Sequence, residues 1–334
     1  MTDIQNSGIL IYAQLTRENY IHTVFFELVD KAHELAEKLG NVEVNAVIFT
    51  TPGLIDSYKE ALQKRGVNKV YYFEDEKFKN YSTEYYSKSI VDLVGVIKPE
   101  ILLIGATNQG RDLAPRVSGA LGTGLTADCT GLDINEKGQL AATRPTFGGQ
   151  LMATILCKNY PQMATVRPNV FKVHRADNFV ETEFVSCPVN ISYLNNRVEL
   201  LEFKKTIESE INDLNSAEVI VAGGKGLKNE KGFELLQKFA DSIGATVAAT
   251  RGAVEMGLAP QSIQVGQTGK TVNPKVYIAC GISGAIQHTV GMTGAEHIIA
   301  INNDEAAPIF EIADTGIVGD VFEILPEFIK EQTK

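Results

Sequence analysis

The chain has 334 residues, 44% of them hydrophobic and 22% charged, with a formal net charge of −10. Single hydrophobic cores rarely grow beyond roughly 250–300 residues, so this length predicts two domains of a soluble globular class. The acidic balance and the absence of any Lys/Arg block exclude a nucleic-acid surface, which needs clustered positive charge.

The segment Met1–Ser7 has neither the basic nor the apolar region of an export signal. No apolar run approaches the ~20 residues of a membrane span, so a cytoplasmic protein without membrane insertion is expected. Strand and helix patterns then alternate. Gly8–Gln14 reads as a buried strand, and Val24–Leu39 as a helix with Phe25, Leu28, Val29, Ala32, Leu35, Ala36 and Leu39 on one face. Val42–Thr50 is predicted as a strand, Ile55–Arg65 as a helix, Lys69–Phe73 as a strand, Thr83–Ile97 as a helix and Glu100–Gly105 as a strand. Such alternation implies right-handed crossovers and a mainly parallel sheet. Thr107–Arg116 leaves a strand end and enters a helix. It could face a ligand, but the favoured reading is a local pair of Arg111 with Asp112, with Asp112 capping the helix. From Gly122 to Val189, short strands with Gly and Pro turns predict a smaller antiparallel addition to the first domain.

Charge-rich residues from about Asn190 to Ser216 mark a boundary. They give a first domain over 1–190, a linker or hinge over 191–216 and a second domain over 217–334. In the second, a strand at Glu218–Gly224 is followed by a helix at Gly232–Ile243. Strands at Ala245–Ala249, Lys275–Gly281, His297–Ile301 and Ile309–Ala313 and a helix at Val321–Ile329 complete about five parallel strands. Polar, glycine-rich loops follow these strands, and in a doubly wound sheet such ends share the edge where ligands bind. The most informative is Val276–His288, an apolar run that breaks at Gly281, continues through Ser283-Gly284 and then presents Gln287 and His288. Free backbone amides at such a corner form a concavity for a phosphate.

Individual side chains each carry two readings. Arg251 can stack on an aromatic ring system and stabilise negative charge, or pair with Glu255 one turn on. His288 can donate to an anionic heterocycle or pack as a core histidine. Gln267 and Thr268 offer donors in a tight turn. Asn302 and Asp320 can hold sugar or ribityl hydroxyls, although Asp320 can equally cap its helix. Cys129, Cys157, Cys187 and Cys280 are too far apart for zinc or iron–sulfur spacing, and Cys280 reads as a buried thiol. His22, His33, His174 and His297 are scattered, so no metal site is expected. No nucleophile or carboxylate pair is ordered for catalysis, which leaves the chemistry to a cofactor. A nicotinamide-dependent oxidoreductase is the rival reading, but Gly224-Lys225-Gly226 is not continued by a third glycine in register.

With these residues the chain resembles the α subunit of the electron-transfer flavoproteins. The resemblance rests on Val265-Gly266-Gln267-Thr268-Gly269-Lys270, on Tyr277 to His288 with Gly291-Met292, on Ile301-Asn302-Asn303-Asp304, on Ala307 to Phe310 and on Ala313 to Asp320. Asn108 to Arg116 and Leu125 to Thr130 match the family's first domain. It implies an N-terminal parallel-sheet, nucleotide-hydrolase-like α/β domain and a C-terminal Rossmann-like domain that binds FAD. It also implies a heterodimer with a β subunit that itself carries AMP or a second FAD. Electrons would come from flavin dehydrogenases, chiefly acyl-CoA dehydrogenases. The alternative is an NADH-dependent bifurcating complex that couples acyl-CoA to ferredoxin or flavodoxin chemistry. By the family pattern Arg251 lies over the isoalloxazine, Gln267 and Thr268 approach its edge, and His288 donates toward its C2 carbonyl. Thus no catalytic residue is implied; Arg251, Thr268 and His288 tune the FAD. Lys225, Thr250, Val265, Gly266, Gly269, Ser283, Gly284, Ala285, Ile286, Gln287, Asn302 and Asp320 match its other contacts. Lys225 and Thr250 replace a common Arg and Ser with like groups, whereas Asn303 replaces a common Lys and removes a charge beside the cradle.

Overall fold

In strand β1 (Ile9–Ala13) all five residues are buried, and the same holds throughout β2 (Val44–Thr50) and β4 (Ile101–Gly105). A strand with no solvent-facing side belongs to a parallel sheet covered on both faces. The computed structural model describes residues 7–146, 151–171, 173, 180–191, 198, 200–202, 214 and 217–332. These form two compact units, one within residues 7–146 and 151–202 and one within 203–334. Most of 191–216, the expected linker, lies outside the described residues, as does His174.

In the first unit, β3 (Lys69–Glu74), β5 (Leu125–Cys129), β9 (Gln162–Val166) and β10 (Glu183–Ser186) join those strands. The sheet is parallel throughout, in the order β10-β3-β2-β1-β4-β9-β5. Its helices are α1 (Thr23–Lys38), α2 (Lys59–Gln63), α3 (Thr83–Ile97) and α4 (Asn108–Leu121). Successive strand residues point to opposite faces. Ile9, Ile11, Ile101 and Leu103 therefore pack with Phe25, Leu28 and Leu35 of α1. Leu10, Tyr12, Leu102 and Ile104 pack with Ile90 of α3 and Leu113 and Val117 of α4.

Three expectations for this unit are corrected. Between Gly122 and Val189 only β6 (Gly131–Ile134), β7 (Leu140–Thr146) and β8 (Leu151–Leu156) are antiparallel; β5, β9 and β10 extend the parallel sheet. Polar residues disguise β9, where the buried Gln162 accepts at Oε1 from the Leu140 backbone N–H at 2.8 Å. The stretch Ile55–Arg65 is not one helix but a 3-10 turn over Ile55–Tyr58 followed by the five-residue α2. Nor does Asp112 cap α4: Thr107 does, accepting from Gly110 N–H at 3.0 Å. Asp112 accepts from the hydroxyls of Tyr81 and Thr83, and Arg111 pairs with Asp128 at 3.0 Å. In β8, Leu151, Met152, Ile155 and Leu156 are exposed, and among the described residues the strand pairs only with β7.

The second unit contains β11 (Val219–Gly223), β12 (Thr246–Thr250), β13 (Gln264–Val265), β14 (Val276–Cys280), β15 (His297–Asn302) and β16 (Thr315–Val318). All pairs are parallel, in the order β13-β12-β11-β14-β15-β16. Helices α5 (Glu230–Ser242) and α8 (Val321–Gln332) meet through Phe239 and Phe328, whose ring centroids lie 6.1 Å apart. Two short helices, α6 (Arg251–Glu255) and α7 (Ile286–Thr289), follow strand ends. The described sheet thus has six strands rather than about five. The predicted strand Ile309–Ala313 is instead a 3-10 turn at Pro308–Glu311, and β16 comes after it. Pro308 starts that turn with a fixed φ and no N–H to give a ladder, while Ile309 is buried as its inward residue.

Glu27 of α1 is buried, and its carboxylate accepts from the backbone N–H groups of Asn169, Val170 and Phe171 at 2.9, 3.1 and 3.3 Å. Burial raises its pKa against the opposing pull of those three bonds. Removing the carboxylate orphans three donors, and a buried unpaired donor costs about 1–3 kcal/mol. Glu27→Ala should therefore lower the stability of the first unit by about 2–4 kcal/mol. The check is the denaturant midpoint of the purified variant, and an unmoved midpoint would refute the role.

Candidate functional site

The strand order of the second unit reverses direction between β11 and β14. Loops leaving these two strands run to opposite sides, and a crevice opens at the carboxyl edge of the sheet. Its floor is backbone on backbone. Gly224 N–H donates to the Cys280 carbonyl at 3.0 Å, and Gly226 N–H to the Gly281 carbonyl at 3.0 Å. A Cβ on Gly226 would lie 2.7 Å from the Cα of Gly281, so only glycine permits this approach. Above the floor lies a cavity of about 660 Å³, walled by the loops after β11, β12, β13, β14 and β15.

Twelve of the residues singled out from sequence line that cavity: Lys225, Thr250, Arg251, Val265, Gly266, Gln267, Thr268, Ser283, Ala285, Gln287, His288 and Asn302. Gly269, Gly284 and Ile286 belong to the same loops without lining it. Asp320 does not line the cavity; it caps α8, accepting from Phe322 N–H at 2.9 Å. Sequence reasoning missed Glu255, Gln264, Asp304, Ala307 and Pro308 as lining residues. The spacing of Arg251 and Glu255 was a signal for the first. Gln264 had none, because it sits in a two-residue buried strand, where it donates to Thr268 Oγ1 at 2.9 Å.

The loop after β13 is fastened to α7. Gln267 N–H donates to the Gln287 carbonyl at 2.7 Å, while Gly266 takes a φ of 137°, and a Cβ there would fall 2.5 Å from the same carbonyl oxygen. Asn302 is a strut: its Nδ2 donates to the Ile282 carbonyl at 2.9 Å and its Oδ1 accepts from Asp304 N–H at 3.0 Å. Thr250 caps α6 by accepting from Ala253 N–H at 3.3 Å. The Arg251 side chain is 64% exposed and pairs through Nε with Glu255 at 2.8 Å. An exposed pair at this helical spacing stabilises by only about 0.3–0.5 kcal/mol, so the guanidinium is cheaply redirected toward a ligand.

His288 is 6% exposed, and both ring nitrogens have protein partners. Nδ1 is 3.0 Å from the Val265 carbonyl, which can only accept, so Nδ1 bears the proton and donates. Burial drives the ring's pKa down to about 4, against the raising effect of that backbone bond. At neutral pH Nε2 is therefore a lone pair, and it accepts from the Tyr277 hydroxyl at 3.1 Å. Cys280, at the end of β14, is fully buried, and its thiol is pushed up to about 12, the property of a packed rather than a reactive sulfur. Among the described residues no group of three or more His, Cys, Asp and Glu is placed to hold a metal ion. No helix among them is long and apolar enough to cross a membrane.

The depressed pKa of His288 makes a signed prediction. The unfolded ring binds a proton below about 6.5, whereas the folded ring resists it until about 4. Stability should therefore be lost as pH falls through that window, by at most about 3 kcal/mol from this group. A variant without a titrating ring, His288→Asn, should show a shallower acid limb of stability against pH between those values. Identical limbs in denaturant titrations would show that His288 is not held neutral.

The comparisons with known proteins cover both units. Residues 9–189 match the electron transfer flavoprotein domain and residues 213–293 match the electron transfer flavoprotein FAD-binding domain. The chain is 46% identical to Protein FixB of Clostridium saccharobutylicum over 331 residues, covering 97% of this chain and 96% of that one. It is 45% identical over 327 residues to the electron transfer flavoprotein subunit alpha of Thermoanaerobacterium thermosaccharolyticum, covering 98% of each. It is also 44% identical over 323 residues to the LctC subunit of the lactate dehydrogenase (NAD(+),ferredoxin) of Acetobacterium woodii, covering 96% of this chain and 76% of that one. The six-stranded unit with its crevice is thus an FAD-binding domain, and the chain belongs to the family of electron transfer flavoprotein α subunits.

Proposed function

We propose that the cavity at the β11/β14 reversal is the FAD site, and that the chain carries electrons there as one half of an αβ flavoprotein. The observation that supports this reading is the gathering of five strand-end loops around one space of about 660 Å³ inside the FAD-binding domain. That volume falls within the range of roughly 300–1,000 Å³ for ligand sites. The wall also fits a dinucleotide chemically. It offers two cations, Lys225 and Arg251, and it offers the turn Gly281–Ser283 at the reversal, where a pyrophosphate is held in such sheets. Glycines at the floor let a ligand approach the backbone.

When bound, FAD supplies the redox chemistry, accepting and releasing electrons at its ring. The chain's residues bind it, orient it and set its electrostatic surroundings. Arg251, released from Glu255, lies against the ring and favours the charge that reduction adds. Gln267 and Thr268 stand at the ring edge, with Thr268 oriented by Gln264. His288 faces the C2 carbonyl side. Lys225, Thr250, Val265, Gly266, Ser283, Ala285, Gln287 and Asn302 line the remaining length, with Gly269, Gly284 and Ile286 shaping their loops. Asp320, which caps α8, is assigned to the cofactor's sugar or ribityl hydroxyls on the family pattern alone. Domain limits of 1–190 and 217–334, with 191–216 as a hinge on which the FAD domain swings, are part of the same proposal.

The β subunit would carry AMP, and the electron donors would be acyl-CoA dehydrogenases or related flavin dehydrogenases of the cytoplasm. A second reading is an NADH-dependent bifurcating complex with a second FAD in β. The LctC relative favours it, since that protein's name couples NAD(+) with ferredoxin.

Nucleotide content of the complex purified with its β subunit separates these readings. One FAD with one AMP per heterodimer marks a simple carrier, two FAD mark the bifurcating complex, and no flavin refutes the site. Gly266→Val should abolish flavin retention, because the side chain would collide with the Gln287 carbonyl; a fully loaded variant would move the site elsewhere. Arg251→Ala should retain FAD but lower its reduction potential by the equivalent of about 0.5–2 kcal/mol. An unchanged spectroelectrochemical midpoint would remove Arg251 from the ring.

A further inference from the structure

The sheet of the first unit has a reversal of its own. The chain runs outward from β1 through β2 and β3, then returns to place β4 on the other side of β1. Loops leaving β1 and β4 therefore diverge at the carboxyl edge, where open sheets take their ligands. A cavity of about 860 Å³ opens there, larger than the one in the FAD-binding domain and built from none of its residues.

We propose that this cavity is a site for a nucleoside phosphate that exchanges with solvent. Its wall has three kinds of surface. The first is aromatic: the rings of Phe49, Phe78, Tyr81 and Tyr86 form one cluster, with centroids 4.5 Å apart for Phe49 and Tyr86 and 5.1 Å apart for Tyr81 and Tyr86. Tyr81 is the half-buried member, and its hydroxyl donates to Asp112 at 2.7 Å. That bond holds the ring in place for a base to stack on. The second surface is cationic, with Arg17 from the loop after β1 and Lys79 from the loop after β3, both suited to a phosphate. The third accepts hydrogen bonds: the carboxylates of Glu76 and Asp112 can take ribose hydroxyls, the role an acidic residue has in related sheets. Two acids and two bases leave the wall without a large net charge, which matches a ligand that is anionic at one end and hydroxylated in the middle.

The cavity is held open by specific bonds. Thr107 Oγ1 donates to Gln14 Oε1 at 2.6 Å and so ties the loops after β4 and β1 to each other. The loop after β1 closes on itself as a short hairpin, in which Thr16 N–H donates to the Tyr20 carbonyl at 2.7 Å and His22 N–H to the Gln14 carbonyl at 2.9 Å. Arg17 thus stands on an ordered turn. Thr50, at the end of β2, is only 2% exposed and lines the cavity. Its hydroxyl lies 3.4 Å from the Thr51 carbonyl, beyond the about 2.5–3.0 Å of a well-made O–H···O bond. A buried hydroxyl with so poor a partner is explained by a ligand atom that completes it. Arg17 and Lys79 are both exposed, so the phosphate end stays open to water and the ligand can leave.

The protein to test is the complex of the full chain with its β subunit, and the probe is AMP. Photolabelling with 8-azido-AMP, followed by peptide mapping, should mark this chain within residues 76–86 or 107–112, and excess AMP should suppress the label. Label confined to the β subunit or to the FAD-binding domain overturns the proposal. Equilibrium dialysis with radiolabelled AMP should find one exchangeable equivalent beyond the nucleotide that the β subunit holds. Lys79→Glu reverses one exposed charge and should weaken that equivalent by at least about tenfold. An unchanged affinity in this variant, or inorganic phosphate competing as strongly as AMP, would show that no nucleoside phosphate is recognised here. Neither readout depends on bound flavin, so they stand whether or not the FAD site is where we place it.

Discussion

Every feature of the cofactor domain depends on one contact, the close approach of the loops after β11 and β14. These two strands are neighbours at the centre of the sheet, and their outgoing chains must diverge because the strand order reverses there. Divergence alone would leave a gap of uncontrolled width. Gly224 and Gly226 remove the side chains that would hold the loops apart, and two backbone hydrogen bonds to Cys280 and Gly281 fix their spacing. Once that floor is set, the positions of Lys225, Ser283 and the α7 residues follow from chain connectivity. A single methyl group at the floor would propagate into each of them.

Around this floor the electrostatics divide sharply. Arg251 and Lys225 bring positive charge to the cavity from loops, and Arg251 is mostly in solvent. His288, by contrast, is buried and neutral, and its partners are a carbonyl and a phenol rather than a carboxylate. An exposed outer cation and a buried, hydrogen-bonded inner dipole differ in kind. The first can turn toward a charged ligand at little cost in its own ion pair. The second is organised in advance and has no reorganisation left to make.

Much of this was legible in the sequence because glycine and strand-end polarity are local signals. The run from Tyr277 to His288 announced both the break after β14 and the loop chemistry, and twelve of the sixteen residues chosen from sequence do line the cavity. What sequence could not give was set by tertiary structure. Asp320 and Asn302 read alike as polar residues after strands, but one became a helix cap and the other a strut between two loops. Ile309–Ala313 had the composition of a strand, yet the preceding Pro308 placed it in a turn. Gln162 and Gln264 were invisible because a buried amide breaks the apolar pattern by which strands are recognised; each is retained by one specific hydrogen bond. The double clamp on His288 joins residues 265, 277 and 288 from three elements, a convergence that no spacing rule reports.

The antiparallel sheet of the first unit ends in β8, a strand with four exposed large apolar side chains and, among the described residues, one free hydrogen-bonding edge. Proteins normally blunt such an edge with charge, proline or a covering segment. Here the strand Leu151–Leu156 contains neither a charged residue nor a proline. Colloidal behaviour would then be governed by six residues far in sequence from the redox centre. A charge on β8, at Met152 or Ile155, is the smallest change that would make the isolated chain easier to keep in solution.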